Sequence, residues 1–166
     1  MMTLQPAQPA ELSICLDIIR DGRSFQQEQG FTQWTEEYPG AALIGQDLQE
    51  GSGYLFRIDG EAAGYMYLGF DGDPDYGAEE CGFQPGVPYA VVHRIALSRS
   101  FAGRGLSSKV FDAVKALCLQ RGLHCIRIDT DRQNLRMQHV LEKNGFVRRG
   151  IVYFAGDPKL TYECMF

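Results

Sequence analysis

The stretch that decides the fold is Val91-Val-His-Arg-Ile-Ala-Leu97-Ser-Arg-Ser-Phe-Ala-Gly103-Arg-Gly105-Leu-Ser107-Ser108-Lys-Val110. An apolar strand runs into a turn with two glycines and then directly into an amphipathic helix. Glycine lets the backbone adopt unusual angles and approach a ligand closely. The first turn of a helix leaves about four N–H groups unpaired, and the helix dipole favours an anion at that end. The stretch therefore suits a pyrophosphate, with Ser107 and Ser108 as further donors and Arg99 and Arg104 adding positive charge nearby.

Several ligands have a pyrophosphate, and the surrounding residues separate them. A P-loop is excluded because no Lys-Ser or Lys-Thr pair follows a glycine at the required spacing. A dinucleotide fingerprint has Gly103 and Gly105 and an acidic Asp129 downstream, but Ser108 replaces its third glycine. Only about 60 residues follow the turn, too few to complete a dinucleotide fold. Coenzyme A needs only the turn and the helix end, and a glycine-rich connection without any ligand stays open beside it.

Outward from this stretch, apolar spacing and turn residues predict the order β-α-α-β-β-β-α-β-α-β-β, a mixed α/β sheet with helices on both faces. Gly22 is expected to stop the first helix, Asp59-Gly60 to form a hairpin, and residues 71–88 to form a long functional or mobile loop. The expected strands are Met2–Gln8, Tyr54–Ile58, Ala63–Leu68, Tyr89–Leu97, Cys125–Asp129, Phe146–Tyr153 and Leu160–Met165. The first expected helix has Leu12, Cys15, Leu16 and Ile19 at helical spacing, and the later ones are Ala41–Gln49, Gly105–Gln120 and Asn134–Asn144. A Gly156-Asp157-Pro158 turn should join the last two strands, and Gly145 should end the last helix.

Composition narrows the class of protein. The 166 residues point to one domain, residues 1–166, with a core of ordinary size. A net charge of −5 argues against a general nucleic-acid binder, which needs a basic face. Five cysteines without a C-x-x-C spacing argue against disulfides and zinc, so we expect free thiols and a cytoplasmic protein without a metal. No signal peptide or apolar run of bilayer length is present, so no membrane association is expected.

Two motifs resemble the GNAT superfamily of N-acetyltransferases. Ala102-Gly-Arg-Gly-Leu-Ser107 resembles the acyl-CoA signature (Q/R)-x-x-G-x-(G/A), with Ala102 and Ser107 as small substitutes. Asp129-Thr-Asp-Arg-Gln-Asn134-Leu-Arg-Met-Gln-His-Val-Leu-Glu-Lys-Asn-Gly145-Phe146 resembles the second motif, in which an Asn opens a helix that ends in Gly-Phe. The resemblance covers essentially the whole chain. The segments Trp34–Pro39, Gly150–Tyr153 and Leu160–Glu163 are similar to a bacterial subgroup of the family. The resemblance implies the acyl-CoA N-acyltransferase fold, with a central mixed sheet of about seven strands.

The resemblance also implies which residues bind acetyl-CoA, the cosubstrate of the family. Backbone groups of the fourth strand would lie along the pantetheine arm and polarise the thioester, and the turn would contact the pyrophosphate. Asn134 would contact the pantetheine side. The implied cofactor-binding residues are Ile95, Ala96, Leu97, Gly103, Arg104, Gly105, Leu106, Ser107, Ser108 and Asn134.

The catalytic groups are less clearly marked by the sequence. The family's frequent general acid is a Tyr in the last helix, but Leu141 stands at that position, so Tyr153 on the next strand is the candidate replacement. His93, Glu36 and Glu37 are considered as bases, and His93 and Glu37 are the predicted ones. Histidine side chains in general titrate near neutral pH, and the two glutamates lie between Trp34 and Tyr38 on an aromatic, acidic loop. Each has an alternative interpretation: a packed strand histidine, a solvated acidic loop and a half-buried strand tyrosine.

The predicted function is direct, metal-free transfer of an acetyl group from acetyl-CoA to a primary amine of a small molecule. The loop 34–38 and the loop 71–88 would form the acceptor pocket. Transfer to a protein or peptide amine is the alternative within the enzyme class. A non-catalytic acyl-CoA-binding regulatory domain, favoured by Leu141, and a nucleotide-binding module are the alternatives outside it. Family members often dimerise through terminal strands, so a homodimer is an expectation from the resemblance alone.

Overall fold

The computed structural model describes residues 1–166 and contains seven strands and four helices in the predicted order. The strands are β1 (Met2–Pro6), β2 (Gly53–Ile58), β3 (Glu61–Gly69), β4 (Ala90–Leu97), β5 (Cys125–Asp131), β6 (Val147–Phe154) and β7 (Asp157–Met165). The helices are α1 (Leu12–Glu28), α2 (Ala41–Gln49), α3 (Ser107–Leu119) and α4 (Leu135–Lys143). No helix is both long enough and apolar enough to span a bilayer.

The strands form one sheet in the order β1-β2-β3-β4-β5-β7-β6. β1, β2 and β3 pair antiparallel in sequence order, and β7 pairs antiparallel with both β5 and β6. β4 and β5 pair in parallel, with Ala90 opposite Ile126 and Val91 opposite Arg127. A parallel pair requires a crossover connection, which the chain supplies as the glycine turn and α3. The predicted mixed α/β class is therefore confirmed.

The chain forms two compact units, and their boundary falls inside β4. The first unit is Met1–Leu68 with His93–Ala113, and the second is Gly69–Val92 with Val114–Phe166. The first unit packs α1 and α2 around an apolar cluster of Ala7, Cys15, Ile18, Ile19, Trp34, Ile44, Leu48, Leu55, Tyr65 and Ala96. In the second unit, Tyr76 and Cys81 of the long loop pack with Val91 and Val152, together with Phe83, Tyr89 and Phe154. A single domain over residues 1–166 stays a prediction.

Gly22 does not stop α1, contrary to expectation, because the helix continues to Glu28. A Cβ atom at Gly22 would lie 2.7 Å from Trp34 Cζ3 and 2.9 Å from Ala96 Cβ. The glycine is therefore needed for close packing of the helix against the core, and a missing side chain at a packed position looks like a helix stop in sequence alone.

The turns at the two hairpins differ in how well the sequence predicted them. Asp59 and Gly60 have φ values of 51° and 87°, the left-handed pair that a tight hairpin requires, so the predicted turn is confirmed. The last hairpin turns at Ala155 and Gly156, with φ values of 48° and 81°. Asp157 and Pro158 lie inside β7, opposite Phe154 and Tyr153. The predicted Gly156-Asp157-Pro158 turn is therefore wrong at its last two residues and shares only Gly156 with the observed turn.

The long loop 71–88 is a packed part of the second unit. It contains two short 3₁₀ turns, Pro74–Gly77 and Glu79–Cys81. The Thr161 hydroxyl of β7 donates to the Cys81 carbonyl at 2.7 Å, and Tyr76 donates to Asp129 Oδ2 at 2.6 Å. Long loops in compact domains usually have such a specific function or anchoring. Here hydrogen bonds attach the loop to β5 and β7, which favours a packed loop over the mobile loop that its length also allowed.

Candidate functional site

The glycine turn between β4 and α3 leaves its backbone uncovered. Gly103 and Gly105 have φ values of 76° and 67°, in the left-handed region that favours glycine. A Cβ atom built on either glycine would have no other atom within 4 Å. Leu106 is buried and holds the end of the turn against the core. The turn therefore presents open backbone on a fixed base, which is what a phosphate group needs for close approach.

The start of α3 supplies amide donors beside this turn. The Val110 N–H donates to the Leu106 carbonyl at 3.0 Å, as in the first regular turn of a helix. The amides that come before it point toward the helix N-terminus, where an anion is favoured. Ser107 and Ser108 are half-buried at this end, and the exposed Arg104 has its guanidinium 4.8 Å from the Phe101 ring centre.

Arg99 does not offer its charge to this turn, contrary to expectation. Its Nη2 donates to Glu28 Oε1 of α1 at 2.7 Å, and its guanidinium lies 4.4 Å from the Phe25 ring centre. Its backbone N–H donates to Asp21 Oδ2 at 2.8 Å. Arg99 therefore attaches the turn to α1 through its pair with Glu28, although both Arg99 and Arg104 are exposed.

The end of β4 carries the three residues expected along the pantetheine arm. Ala96 is buried in the same cluster as Trp34, whereas Ile95 and Leu97 are half-buried. The Ser98 N–H donates to the Ala63 carbonyl of β3 at 2.8 Å and fixes the strand end. β4 therefore reaches the glycine turn with one side packed into the core of the first unit.

Arg94, in the middle of β4, has a φ of 50°. A left-handed conformation is uncommon for a residue other than glycine and interrupts the extended geometry of a strand, as in a bulge. The Arg94 side chain is buried and makes a two-point contact with Asp47 of α2: Nε to Oδ2 at 3.0 Å and Nη2 to Oδ1 at 2.8 Å. The Tyr65 hydroxyl of β3 donates to the same Asp47 Oδ2 at 2.6 Å.

The electrostatics of this group keep Arg94 charged. Burial alone would lower the pKa of Arg94, but the hydrogen bond and the charge of Asp47 outweigh it and raise that pKa. Burial, with the neighbouring Asp47 carboxylate, raises the pKa of Tyr65, so its hydroxyl stays protonated and donates. Asp47, Tyr65 and Arg94 form a buried cluster, called here the β4 clamp.

Sequence reasoning missed the β4 clamp. The sequence pattern places Arg94 on a strand and does not mark Asp47 as its partner. One signal was present: Asp47 stands three residues after the buried Ile44 and next to the buried Leu48, on the apolar face of α2. A carboxylate there must find a partner in the core, because an unpaired buried charge is very costly.

His93 lies next to the clamp. Its ring is half-buried and 5.8 Å from the ring of Tyr67 of β3, and the Arg94 guanidinium lies 4.7 Å from that same ring. Successive side chains of a regular strand point to opposite faces. His93 and Arg94 both contact Tyr67, so the left-handed Arg94 has broken that alternation and brought both side chains to one aromatic surface.

The acidic loop between α1 and α2 is anchored at one end and exposed at the other. Trp34 is buried, and its backbone N–H donates to Gln26 Oε1 at 2.8 Å. The Thr35 hydroxyl accepts from the amides of Glu37 and Tyr38 at 3.2 and 3.1 Å. Glu36, Glu37 and Tyr38 are exposed. Trp34 is thus part of the core, and the loop offers two carboxylates and a phenol to a ligand.

Asn134 and Tyr153 belong to the second unit. Asn134 is the N-cap of α4, and its Oδ1 accepts from the Met137 N–H at 3.1 Å. Tyr153 lies on β6, and 55% of its surface is exposed. Leu141, at the position of the family's frequent general acid, is fully buried in α4. Asn134 therefore has a structural task in addition to the predicted one.

Two further ion pairs lie in the second unit. Arg127 Nε donates to Glu163 Oε2 at 2.8 Å, and Lys159 Nζ donates to Asp131 Oδ2 at 2.7 Å. All five cysteines are free, as predicted, and all five are buried. Burial raises the pKa of the Cys15 thiol to about 12, which makes it inert as a nucleophile.

Known proteins resemble this chain in sequence and in fold. The model of the acetyltransferase (GNAT) family matches residues 19–146. A GNAT-family acetyltransferase from Streptococcus agalactiae has a TM-score of 0.88 at 28% identity, over 99% of this chain and 95% of that chain. No curated protein sequence matches the chain.

Two more distant structures share the fold. AAC(6')-Ib in complex with ribostamycin and coenzyme A has a TM-score of 0.71 at 22% identity, over 99% of this chain and 93% of that chain. The PaiA N-acetyltransferase from Thermoplasma acidophilum, in complex with coenzyme A, has a TM-score of 0.73 at 12% identity, over 100% of this chain and 99% of that chain.

Proposed function

The chain belongs to the acetyltransferase (GNAT) family, and we propose that it transfers an acetyl group from acetyl-CoA to a primary amine of a small molecule. The observation that carries the proposal is the glycine turn between β4 and α3, where two left-handed glycines leave the backbone open at a helix N-terminus. Such a turn accepts a pyrophosphate through backbone amides. Coenzyme A is present in the solved complexes of two proteins with the same fold.

The residues of the turn fit the cofactor. Any side chain at Gly103 or Gly105 would fill the space that a phosphate needs, and both positions are empty of other atoms. In the proposed site, the amides at the start of α3, the hydroxyls of Ser107 and Ser108 and the charge of Arg104 bind the pyrophosphate. Ile95, Ala96 and Leu97 orient the pantetheine arm along β4, and Asn134 is the further residue predicted to contact the pantetheine. Acetyl-CoA supplies the acetyl group as an activated thioester.

Acyl transfer requires a neutral amine. The amine nitrogen bonds to the thioester carbon, the carbon–sulfur bond breaks, one proton leaves the nitrogen and the sulfur departs as a thiolate that takes up a proton. Alkyl amines are mostly protonated at neutral pH, so a base must remove a proton first. A backbone N–H of β4 near Ile95 would stabilise the negative charge that gathers on the carbonyl oxygen.

His93 and Glu37 are the proposed bases, and Tyr153 is the proposed proton donor to the thiolate. His93 is half-buried against Tyr67 in the first unit, which limits the orientations of its ring. Glu37 is exposed, so a carboxylate there is accessible to a cationic amine. The phenol of Tyr153 is also exposed and therefore accessible to a ligand.

A small-molecule acceptor is favoured by the exposed carboxylates of Glu36 and Glu37, which suit a compact cation. AAC(6')-Ib, which has the same fold, is solved in complex with the small molecule ribostamycin. A lysine or N-terminal amine of a peptide has the same reacting group and is the alternative acceptor. Leu141, fully buried and without a proton to donate, favours a non-catalytic acyl-CoA-binding domain as the second candidate.

The first test is thermal unfolding with saturating acetyl-CoA, with NAD and ATP as controls. A ligand at about 100 times its dissociation constant adds roughly 2.7 kcal/mol, which raises the midpoint of a domain of this size by about 5 to 10 °C. We expect this rise with acetyl-CoA alone. No rise, or an equal rise with NAD, would remove the cofactor assignment and the enzyme assignment with it.

A matched pair of glycine variants tests the turn itself. Gly105→Ala and Gly60→Ala introduce the same left-handed strain into equally open space, and Gly60 lies in the β2–β3 hairpin. We expect acetyl-CoA to bind roughly tenfold more weakly to Gly105→Ala, because both strain and the added methyl oppose a bound phosphate. Gly60→Ala should lose similar stability and keep its affinity. Equal affinities in the two variants would contradict a pyrophosphate site at the turn.

Turnover separates the enzyme from a binding domain. Thiol release from acetyl-CoA should depend on an amine, measured with ribostamycin, a diamine and a lysine peptide. We expect His93→Ala or Glu37→Gln to lower turnover at least tenfold with little change in acetyl-CoA affinity, because a general base acts on the chemical step. His139→Ala, an exposed histidine of α4, is the control. Binding without amine-dependent release would support the non-catalytic domain.

A further inference from the structure

The β4 clamp contains an ion pair that is almost completely removed from water. Asp47 and Arg94 are almost completely buried, with side-chain exposures of 4% and 11%. Both oxygens of Asp47 are occupied by Arg94, and Oδ2 also accepts from Tyr65. Taking two charges out of water is costly, and well-packed apolar residues often give equal stability. Stability alone is therefore a weak reason for this pair.

The clamp is joined to a backbone conformation that is costly in its own right. Arg94 has a φ of 50°, and a left-handed conformation costs a residue with a Cβ atom about 1–2 kcal/mol. Such a conformation persists only where the surrounding structure holds it. The two-point contact fixes the guanidinium against α2, and the Tyr67 ring lies against its face. The guanidinium of Arg94 is thus held by Asp47 at its edge and by the Tyr67 ring at its face.

The position of this residue in the chain gives the conformation a consequence. Arg94 separates His93, a proposed base, from Ile95, the first residue proposed to lie along the pantetheine arm. The torsion angles at residue 94 set the direction in which the strand continues, and they have already brought His93 and Arg94 to the same side of Tyr67. Any group that fixes φ at residue 94 therefore aims the backbone of Ile95 to Leu97.

We propose that Asp47 is a positioning residue, which acts through the guanidinium of Arg94 to hold β4 in the left-handed bend that directs Ile95, Ala96 and Leu97 toward the acyl-pantetheine arm. The inference rests on the proposed function, since it assumes acetyl-CoA along β4. It assigns α2 a part in cofactor orientation, although Asp47 itself touches only Tyr65 and Arg94 among the contacts described above.

Two double variants separate this role from a role in stability. Asp47→Asn with Arg94→Gly and Asp47→Asn with Arg94→Ala both remove the buried charges and differ by one methyl group. Glycine adopts a positive φ without penalty, whereas alanine favours the extended conformation. If the clamp serves to hold the bend, the glycine variant should bind acetyl-CoA about tenfold more tightly than the alanine variant.

A fragment of the cofactor supplies the control within each variant. Adenosine 3′-phosphate 5′-diphosphate contains the phosphates that the glycine turn would bind and lacks the pantetheine arm. Its affinity, measured by calorimetry, should be the same in the two double variants. Equal acetyl-CoA affinities in both, or a loss for both ligands in the alanine variant, would overturn the inference. Failure of the wild-type protein to bind acetyl-CoA would overturn the proposed function and the inference together.

A structural readout covers the case in which the alanine variant does not fold. The crystal structure of the Asp47→Asn single variant measures φ at Arg94 directly, and we expect an extended conformation. A φ that stays near its present value would show that the bend does not depend on the clamp. Glu50→Gln, an exposed change one turn further along the same region, is the control.

Discussion

Each of the two units holds a buried arginine on a strand, and the two arginines differ in their partners and in their backbones. Arg94 in the first unit is left-handed and pairs with Asp47 from a helix. Arg127 in the second unit lies in a regular strand and pairs with Glu163, which stands directly opposite it in β7. The same kind of ion pair can therefore join two neighbouring strands, as at Arg127, or join a helix to a left-handed residue of a strand, as at Arg94.

The second pair also fastens the long loop. Arg127 Nη2 donates to the Gln84 carbonyl at 2.7 Å, and its guanidinium lies 4.5 Å from the Phe83 ring centre and 4.0 Å from that of Tyr89. Glu163 binds Arg149 as well, through Oε1 at 3.1 Å. All these partners belong to the packing of the second unit. Arg127 and Glu163 thus maintain the packing of that unit, whereas Asp47 and Arg94 are proposed to position a site.

The largest predicted effect tests this division directly. Glu163→Gln leaves two arginines without their carboxylate, one of them buried, and should lower the free energy of unfolding by about 3–5 kcal/mol. Urea unfolding measures this loss, with the exposed Glu79→Gln as the control. The folded fraction of Glu163→Gln should bind acetyl-CoA as the wild type does. A large loss of affinity without a loss of stability would reverse the roles of the two pairs.

The next effect compares tightly packed glycines in the two units. A Cβ at Gly150 would lie 2.1 Å from the Glu80 carbonyl oxygen, whereas a Cβ at Gly22 would meet the side chains of Trp34 and Ala96 at 2.7 and 2.9 Å. Backbone moves less readily than side chains, so Gly150→Ala should cost about 3 kcal/mol and Gly22→Ala about 1–2 kcal/mol. Thermal and urea unfolding measure both.

A third glycine serves as the control for these two. Gly45 lies inside α2, and a Cβ there would approach only Leu12 Cδ2, at 4.0 Å. Gly45→Ala should therefore raise the free energy of unfolding by up to about 1 kcal/mol, through helix propensity alone. If Gly22→Ala stabilised the protein in the same way, the close packing of α1 against Trp34 would be contradicted.

The smallest effect concerns Lys159, whose charge pairs with Asp131. Burial alone would raise the pKa of Asp131, but the hydrogen bond and charge of Lys159, together with the hydrogen bond from the Gln133 N–H, outweigh it and hold that pKa below 3.8. Burial alone would lower the pKa of Lys159, but its bonds to Asp131 and Asp157 raise it above 10.5. The contribution of Asp131 is therefore present above the unfolded pKa of 3.8 and is lost as pH falls through the lowered folded value.

The lowered pKa of Asp131 predicts how the stability of the protein changes at acid pH. Asp131→Asn should lower the free energy of unfolding by about 1 kcal/mol at pH 7, and the difference from wild type should shrink once the pH falls below 3.8. Urea unfolding at neutral and acid pH measures the two differences. The exposed Asp71→Asn should give no such difference at either pH. A difference of constant size would mean that the charge of Asp131 does not contribute.

Local sequence patterns predicted most of the fold. α2 has the predicted bounds, and the Asp59-Gly60 hairpin, the Asn134 cap and the left-handed Gly145 after α4 are where the residues indicated. These features depend on residues within a few positions of one another, because capping, turn geometry and apolar spacing are short-range. The glycine turn after β4 belongs to the same class, and it pointed to the family.

The features that only the tertiary structure decided depend on residues far apart in the chain. The sequence predicts a helix stop at Gly22, whereas the structure shows that the glycine is needed because Trp34 and Ala96 pack against it. The sequence predicts that Arg99 adds charge near a phosphate, whereas in the structure its guanidinium binds Glu28. Asp47 and Arg94 are separated by 47 positions. The place of Asp47 on the apolar face of α2 indicates that it needs a partner, but not which residue that partner is. A sequence lists the charges, but burial decides which of them must meet, because an unpaired charge is tolerated in water and is very costly in a core.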